Sequence, residues 1–249
     1  MPKACLALVG LVLCSSYLSA KEVANDAKDG FVSIFDGKTL KGWRALPKEG
    51  IDDWSVREGV LVAKGSKDAL IYLVYGDEDL ANFELKLKYK MVTKGNSGVE
   101  VRAHVDKTCK RPFEGYHADF GHVGIGPQVL GAWDFHFAKR EEYACHRGTS
   151  LLIDKEGKTK SKKLKDAVRI EDINRHDWND LHIVANGRKL SFSINGKTAS
   201  EFVDRKPERL KSGIMGLQIH DAGMIVEFKD IMLKRLPKRG GKKQNKKQK

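Results

Sequence analysis

The sequence predicts an all-β protein, a β-sandwich or jelly roll with two packed antiparallel sheets. Three observations carry this. Short runs alternate apolar and polar residues: in GVEVRAH (98–104), Val99, Val101 and Ala103 alternate with Glu100, Arg102 and His104, the period of a strand with one buried face. Asn186-Gly187 and Asn195-Gly196 are hairpin signals, because a type I′ turn needs positive φ at both central residues. Apart from residues 162–174, no stretch sustains a helical period over ten residues. Many short strands between Gly-rich turns make a sandwich.

The elements follow in order. Residues 1–20, MPKACLALVGLVLCSSYLSA, have a positive start at Lys3, an apolar run over 4–14 and small residues at the end. They form a secretory signal peptide cleaved after Ala20, so the mature chain is expected to be secreted or periplasmic. A buried N-terminal helix and a lipid anchor on Cys14 are the weaker readings, the second because Leu13 stands where a small residue belongs. A polar linker occupies 21–30, and one domain runs from 31 to 236. Its strands are expected at 32–35, 54–65, 81–92, 97–105, 115–121, 214–220 and 224–236. A three-strand meander spans Leu181 to Val203. The charged stretch 139–170 breaks the rhythm and reads as a long insertion beside one end of the sandwich.

The tail 237–249 is too charged and too poor in apolar residues to fold. The last sixteen residues hold nine Lys or Arg and no acid, so the net charge of +13 is mostly a tail property. A solubilising role or contact with an anionic envelope surface suits it; a specific nucleic-acid partner does not fit a secreted chain. No mature segment is apolar for long enough to span a membrane. Cys109 and Cys145 are the cysteines left after cleavage. In an oxidising compartment they are expected to form a disulfide, contributing about 3–4 kcal/mol in the chain-entropy picture. A metal site of Cys109, Cys145 and His146 is the alternative, without the paired spacing of structural zinc sites.

Several stretches together resemble a known family: FDGKTLKGW (35–43), DWSVREGVLVAKG (53–65), NFELKLKYK (82–90), GNSGVEVR (95–102), GYHADFG (115–121), HDWNDLHIVANGRKLSFSINGK (176–197) and GIMGLQIHDAG (213–223). In this order they are similar to the 3-keto-disaccharide hydrolase domain family, over about residues 31–236. The resemblance implies a concanavalin A-like lectin/glucanase fold with a concave sheet for carbohydrate. The segment 122–170 departs from the family pattern, which bears on substrate identity more than on fold.

The polar sides of three strands are expected to meet in that hollow: Glu100, Arg102 and His104; His117 and Asp119; Gln218 and His220. The resemblance implies a 3-keto-glycoside substrate, whose cleavage by β-elimination needs a general base and a cationic or donating group at the enolate oxygen. His220 or His117 is the expected base, with Asp119 orienting it. Arg102 would hold the enolate or sugar hydroxyls. Glu100 and Gln218 would bind hydroxyls, with Glu100 a possible acid for the leaving group. Trp133, with Phe135 and Phe137, is the expected sugar-stacking surface. No cofactor is required by this reading, although Glu100, Asp119 and the histidines could hold a divalent metal. Two rivals remain: an oxocarbenium glycosidase using Glu100 and Asp119, and a non-catalytic, lectin-like carbohydrate-binding module, which the same fold serves equally well.

Overall fold

The computed structural model describes residues 29–76, 79–107, 112–126, 128–136 and 145–237. The expected signal peptide (1–20), most of the expected linker, Cys109, Phe137 and the basic residues after Pro237 lie outside the described residues.

The chain opens with β1 (Val32–Ser33), β2 (Trp43–Leu46), β3 (Trp54–Arg57), β4 (Val60–Lys64) and β5 (Ile71–Tyr75). The long strands β6 (Phe83–Met91), β7 (Asn96–Val105) and β8 (Phe113–Gly121) follow, then β9 (Trp133–His136), β10 (Thr149–Ile153) and β11 (Thr159–Lys163). The last are β12 (Asn179–Asn186), β13 (Lys189–Ile194), β14 (Lys197–Asp204), β15 (Ile214–Ile219) and β16 (Ile225–Arg235). Two sheets form. One runs β11-β10-β14-β13-β12-β6-β16-β4-β3, with β1 also on β16; the other runs β2-β5-β15-β7-β8-β9. Among the described residues every strand pairing is antiparallel except β10 with β14.

Alternation decides what lies between the sheets. In β6, Phe83, Leu85, Leu87, Tyr89 and Met91 are buried while the intervening Glu and Lys residues are half-buried. Facing them, the six-stranded sheet contributes Val99, Val101, Tyr116, Ala118, Phe120, Leu217 and Ile219 to the same core. Burying large apolar side chains of this kind stabilises by roughly 1.5–3 kcal/mol each. Tyr89 and Phe120 meet across the core with ring centroids 4.2 Å apart.

Several expectations change. The run 54–65 is a hairpin of two strands: Glu58 and Gly59 both have positive φ (49° and 82°) and turn the chain. Part of the expected insertion is sheet. TSLLI (β10) pairs with β14, and TKSKK (β11), exposed along its whole length, closes that edge. Lysines on an edge strand discourage further pairing, so its charge marks a sheet border, not a loop. Within 162–174 only a single 3-10 turn, Ile170–Asp172, is helical. Strands β2 and β5, unread in the sequence, lie at the far edge of the six-stranded sheet.

Candidate functional site

Register builds the site. Strands β7 and β8 pair Gly98 with Asp119 and Glu100 with His117. Strands β8 and β9 pair His117 with Asp134 and Gly115 with His136. Directly paired residues share a face, and positions two apart along a strand share it too. Glu100, His117, Asp119, Asp134 and His136 therefore stand together on the outer face of the six-stranded sheet, opposite the core residues Ala118, Trp133 and Phe135.

Those side chains form one continuous chain of contacts. Glu100 Oε2 lies 3.0 Å from His117 Nδ1 and 3.0 Å from His136 Nδ1. His136 Nε2 lies 3.0 Å from Asp134 Oδ2, and His117 Nε2 lies 3.4 Å from Asp119 Oδ1. The two rings stack with centroids 5.0 Å apart. The cluster is covered: Glu100 is 0% exposed, His117 1%, and Asp119 and His136 5% each. Asp134, with 38% of its side chain accessible, marks the open edge.

Two glycines make this close packing fit. A Cβ at Gly98 would collide with His117 Nε2, and one at Gly115 would collide with Glu100 Oε1. Each long side chain lies across the neighbouring strand where no side chain stands. Here glycine is required for close approach, not for its backbone freedom.

Charge follows from the same contacts. Burial would push Glu100 up, but His136 and His117 hold its carboxyl well below the usual carboxylate range. Burial would likewise push His117 down, yet Asp119 and Glu100 hold its imidazole protonated well above neutral pH. For His136 burial also acts downward, and Glu100 and Asp134 overcome it and raise it. Asp134 is pulled down to about 2, its own burial outweighed by His136.

The cluster leaves polar atoms unsatisfied. Among the described residues Glu100 Oε1, His117 Nε2 and Gln218 Oε1 are buried without a hydrogen-bond partner. Such groups cost about 1–3 kcal/mol each, so three on one face mark a place built to receive something polar. Gln218 sits on β15 one step beyond the Leu217–Val99 pair, beside Gly98; its Nε2 donates to Tyr72 Oη at 2.8 Å. Tyr72, Val74, Ala103 and Phe113 form an apolar cluster of their own.

One donor atom each from Glu100, His117 and His136 lies within 4.8 Å of the others, a set able to hold a divalent metal. The surroundings fit that use. The far nitrogen of each imidazole faces a carboxylate, the usual way a histidine ligand is oriented, and Glu100 keeps Oε1 unpartnered.

The structure gathers some expected residues and sends others elsewhere. Glu100, His117, Asp119 and Gln218 come together as expected. Arg102 does not join them. A β-bulge between Val101 and His104 gives Arg102 a φ of +50°. Its buried guanidinium donates to the carbonyls of Ala81, Gly187 and Leu210, tying loops at one end of the sandwich. That clamp engages four of its five N–H donors on backbone carbonyls away from the cluster. His104, past the bulge, is exposed and bonds Ser212 O. His220 follows the last residue of β15, is 44% accessible and pairs with Asp221 at 2.7 Å. Trp133 is 1% exposed, packs edge-on to Phe192 and Phe202 and donates to Ser200 O, so it is core and not a stacking surface. Cys145 is a free, buried thiol donating to Glu201 O, and burial pushes it up to about 12.

Asp134 and His136 were missed. The signal was present in WDFH: Trp133 and Phe135 alternate with Asp134 and His136, and attention to the aromatics picked the core side of that strand.

Residues 30–234 match the model of the 3-keto-alpha-glucoside-1,2-lyase-like domain. A 78-residue segment is 33% identical to a 3-keto-disaccharide hydrolase of Bacteroides thetaiotaomicron, covering 28% of this chain and 27% of that protein. The chain thus matches about a quarter of that relative's length. Among solved structures, a candidate glycosyl hydrolase from Parabacteroides distasonis superposes with TM-score 0.59 at 19% identity, covering 86% of this chain and 97% of that one. The exoplasmic/lumenal domain of VIP36, bound to Ca2+ and Man3GlcNAc, gives TM-score 0.51 at 9% identity over 85% of this chain and 90% of that one. At these identities the likeness shows a concanavalin A-like lectin fold.

Proposed function

Because the chain belongs to the 3-keto-alpha-glucoside-1,2-lyase-like family, we propose that it cleaves the glycosidic bond of 3-keto-glycosides, including 3-keto-disaccharides, by base-catalysed β-elimination and hydration. A ketone at C3 acidifies the C2 hydrogen, and the glycosidic oxygen on C1 lies β to the carbonyl. Loss of the C2 proton gives an enediolate. Its electron pair expels the C1 oxygen, which leaves with a proton, and water then adds across C1 and C2.

The observation that carries this reading is the Asp119–His117–Glu100 contact chain on a buried sheet face. C2 and C3 are neighbouring atoms, so the base and the group facing the C3 oxygen must be neighbours too. Asp119 is assigned as base. Among the described residues its carboxylate meets only His117 Nε2, at 3.4 Å, whereas Glu100 and Asp134 are engaged at 3.0 Å. His117 donates to Glu100 from Nδ1, and its protonated Nε2, 3.4 Å from Asp119 Oδ1 and without a hydrogen-bond partner, faces the developing enolate oxygen; it is not the base. Glu100 fixes the ring through Nδ1. His136, at the open edge beside Asp134, protonates the leaving oxygen, and Gln218 Oε1 accepts a sugar hydroxyl. Were a divalent cation bound, Glu100, His117 and His136 would hold it, with each imidazole giving up its Nδ1 proton, and it would supply Lewis-acid polarisation of the ketone in place of the imidazolium charge. We infer an extracytoplasmic site of action from the signal-like residues 1–20.

The test is product release from 3-keto-trehalose and a 3-keto-glucoside, with and without chelator. Asp119→Asn should lower kcat by about a thousandfold, and substrate deuterated at C2 should react more slowly in the wild type. Undiminished turnover in Asp119→Asn would remove Asp119 as base. Sugar binding with no turnover of either compound would make the protein a carbohydrate-binding module.

A further inference from the structure

A cavity lies away from this cluster, at the C-terminal end of β8. It is lined by Tyr89 and Met91 of β6, Gly121 at the end of β8, His122 and Val123 beyond it, Lys94, and the segment 173–176 with Asn179. Its volume is about 130 Å³, room for an oxyanion and the first atoms of an organic body attached to it. Its floor belongs to the core layer: Tyr89 faces the interior and packs on Phe120, whereas Asp119 stands on the outer face of the six-stranded sheet.

The lining is unusual in its polarity. Lys94, Arg175, His122 and His176 contribute cationic or imidazole groups, and among the described residues no carboxylate lines the cavity. Tyr89 is 0% exposed, and its hydroxyl has no hydrogen-bond partner among the described residues. A buried phenol left unpaired costs about 1–3 kcal/mol, and the cost is recovered when an acceptor arrives. His176 Nδ1 donates to Met91 O at 3.2 Å, which fixes the ring at the cavity wall. The nearby carboxylate of Asp221 is committed elsewhere, accepting from Asn96 N at 2.6 Å and pairing with His220.

We infer that this cavity binds a small oxyanion, the carboxylate of a sugar acid or a phosphate, with Tyr89 Oη donating at its floor and Lys94 and Arg175 closing its mouth. Cationic donors around a buried hydroxyl suit an anion, and the apolar wall of Ile173, Val123 and Met91 accommodates a compact organic body behind the charged group.

The experiment is calorimetric titration of the purified protein with inorganic phosphate, with glucuronate and with glucose as the neutral control. Binding of either anion without binding of glucose is expected; which anion binds identifies the source. Tyr89→Phe keeps the ring that packs on Phe120 and should weaken anion binding about tenfold, and Lys94→Ala, at an exposed position, should also weaken it. Both variants should cleave 3-keto-glycosides as the wild type does, so this result stands apart from the fate of the proposed reaction. No binding of either anion below about 10 mM, equal binding of glucose, or wild-type affinity in Tyr89→Phe would overturn the inference.

Discussion

Strands β6 and β7 follow one another in the chain and show the same pattern on paper, yet their polar faces have opposite fates. In FELKLKYKM of β6, Lys88 reaches Asp180 at 2.6 Å and Lys90 reaches Glu227 at 2.6 Å, all at the solvent boundary. Lys86 lies over Phe31 and Lys90 over Trp178, keeping their stems on apolar surface and their charges near water. In SGVEVRAHV of β7, Ser97 through Ala103 are buried on both faces. There the charges cannot reach water and meet each other: Glu100 takes two imidazoles, and Arg102 takes backbone carbonyls. Alternation says which side of a strand is apolar. Whether the other side is wet depends on what lies over it, and in this protein that difference separates a solvated sheet face from a buried cluster of charges.

Substitutions on the two strands should differ accordingly. The largest effect is expected from Arg102→Ala, which strands the carbonyls of Ala81, Gly187 and Leu210 in a buried end of the sandwich. A loss of about 3–5 kcal/mol is expected in denaturant unfolding; a change within 1 kcal/mol would show that the clamp is dispensable. Next comes Gly115→Ala. Its methyl must displace Glu100, so kcat on a 3-keto-glucoside should fall about a hundredfold, while circular dichroism should still report a folded sandwich. Gln218→Ala is expected to raise KM about tenfold with kcat little changed, since it removes an acceptor for a sugar hydroxyl and leaves Asp119 and His117 in place. The smallest effect belongs to β6. Lys88→Ala breaks a half-exposed ion pair and should cost less than about 1 kcal/mol, shrinking with added salt, without touching turnover.

Much of the architecture was readable before any coordinates. The meander around Asn186-Gly187 and Asn195-Gly196, the long strands β6 to β8 and the final β16 stand where alternation placed them, within a residue or two. Strand β5 escaped because IYLVY is apolar throughout, its outward residues Tyr72 and Val74 being covered as fully as its core residues. Strands β10 and β11 escaped because lysine on an edge strand looks like loop composition. Within the site, Glu100, His117, Asp119 and Gln218 were legible as polar members of alternating strands. His220 was read by the same rule, but the strand ends at Ile219, and beyond that point periodicity no longer says where a side chain goes.

From its own residues the chain determined which segments extend, where they turn and which edge of each is apolar, because strand period and turn preference act between residues one or two positions apart. Tertiary structure decided the rest. The register of β7, β8 and β9 set Glu100 between two imidazoles, a single bulge withdrew Arg102 from that face, and Gly98 and Gly115 left the space in which the long side chains lie down. Those outcomes depend on pairing and cover supplied by strands distant in the chain, and no local pattern encodes them.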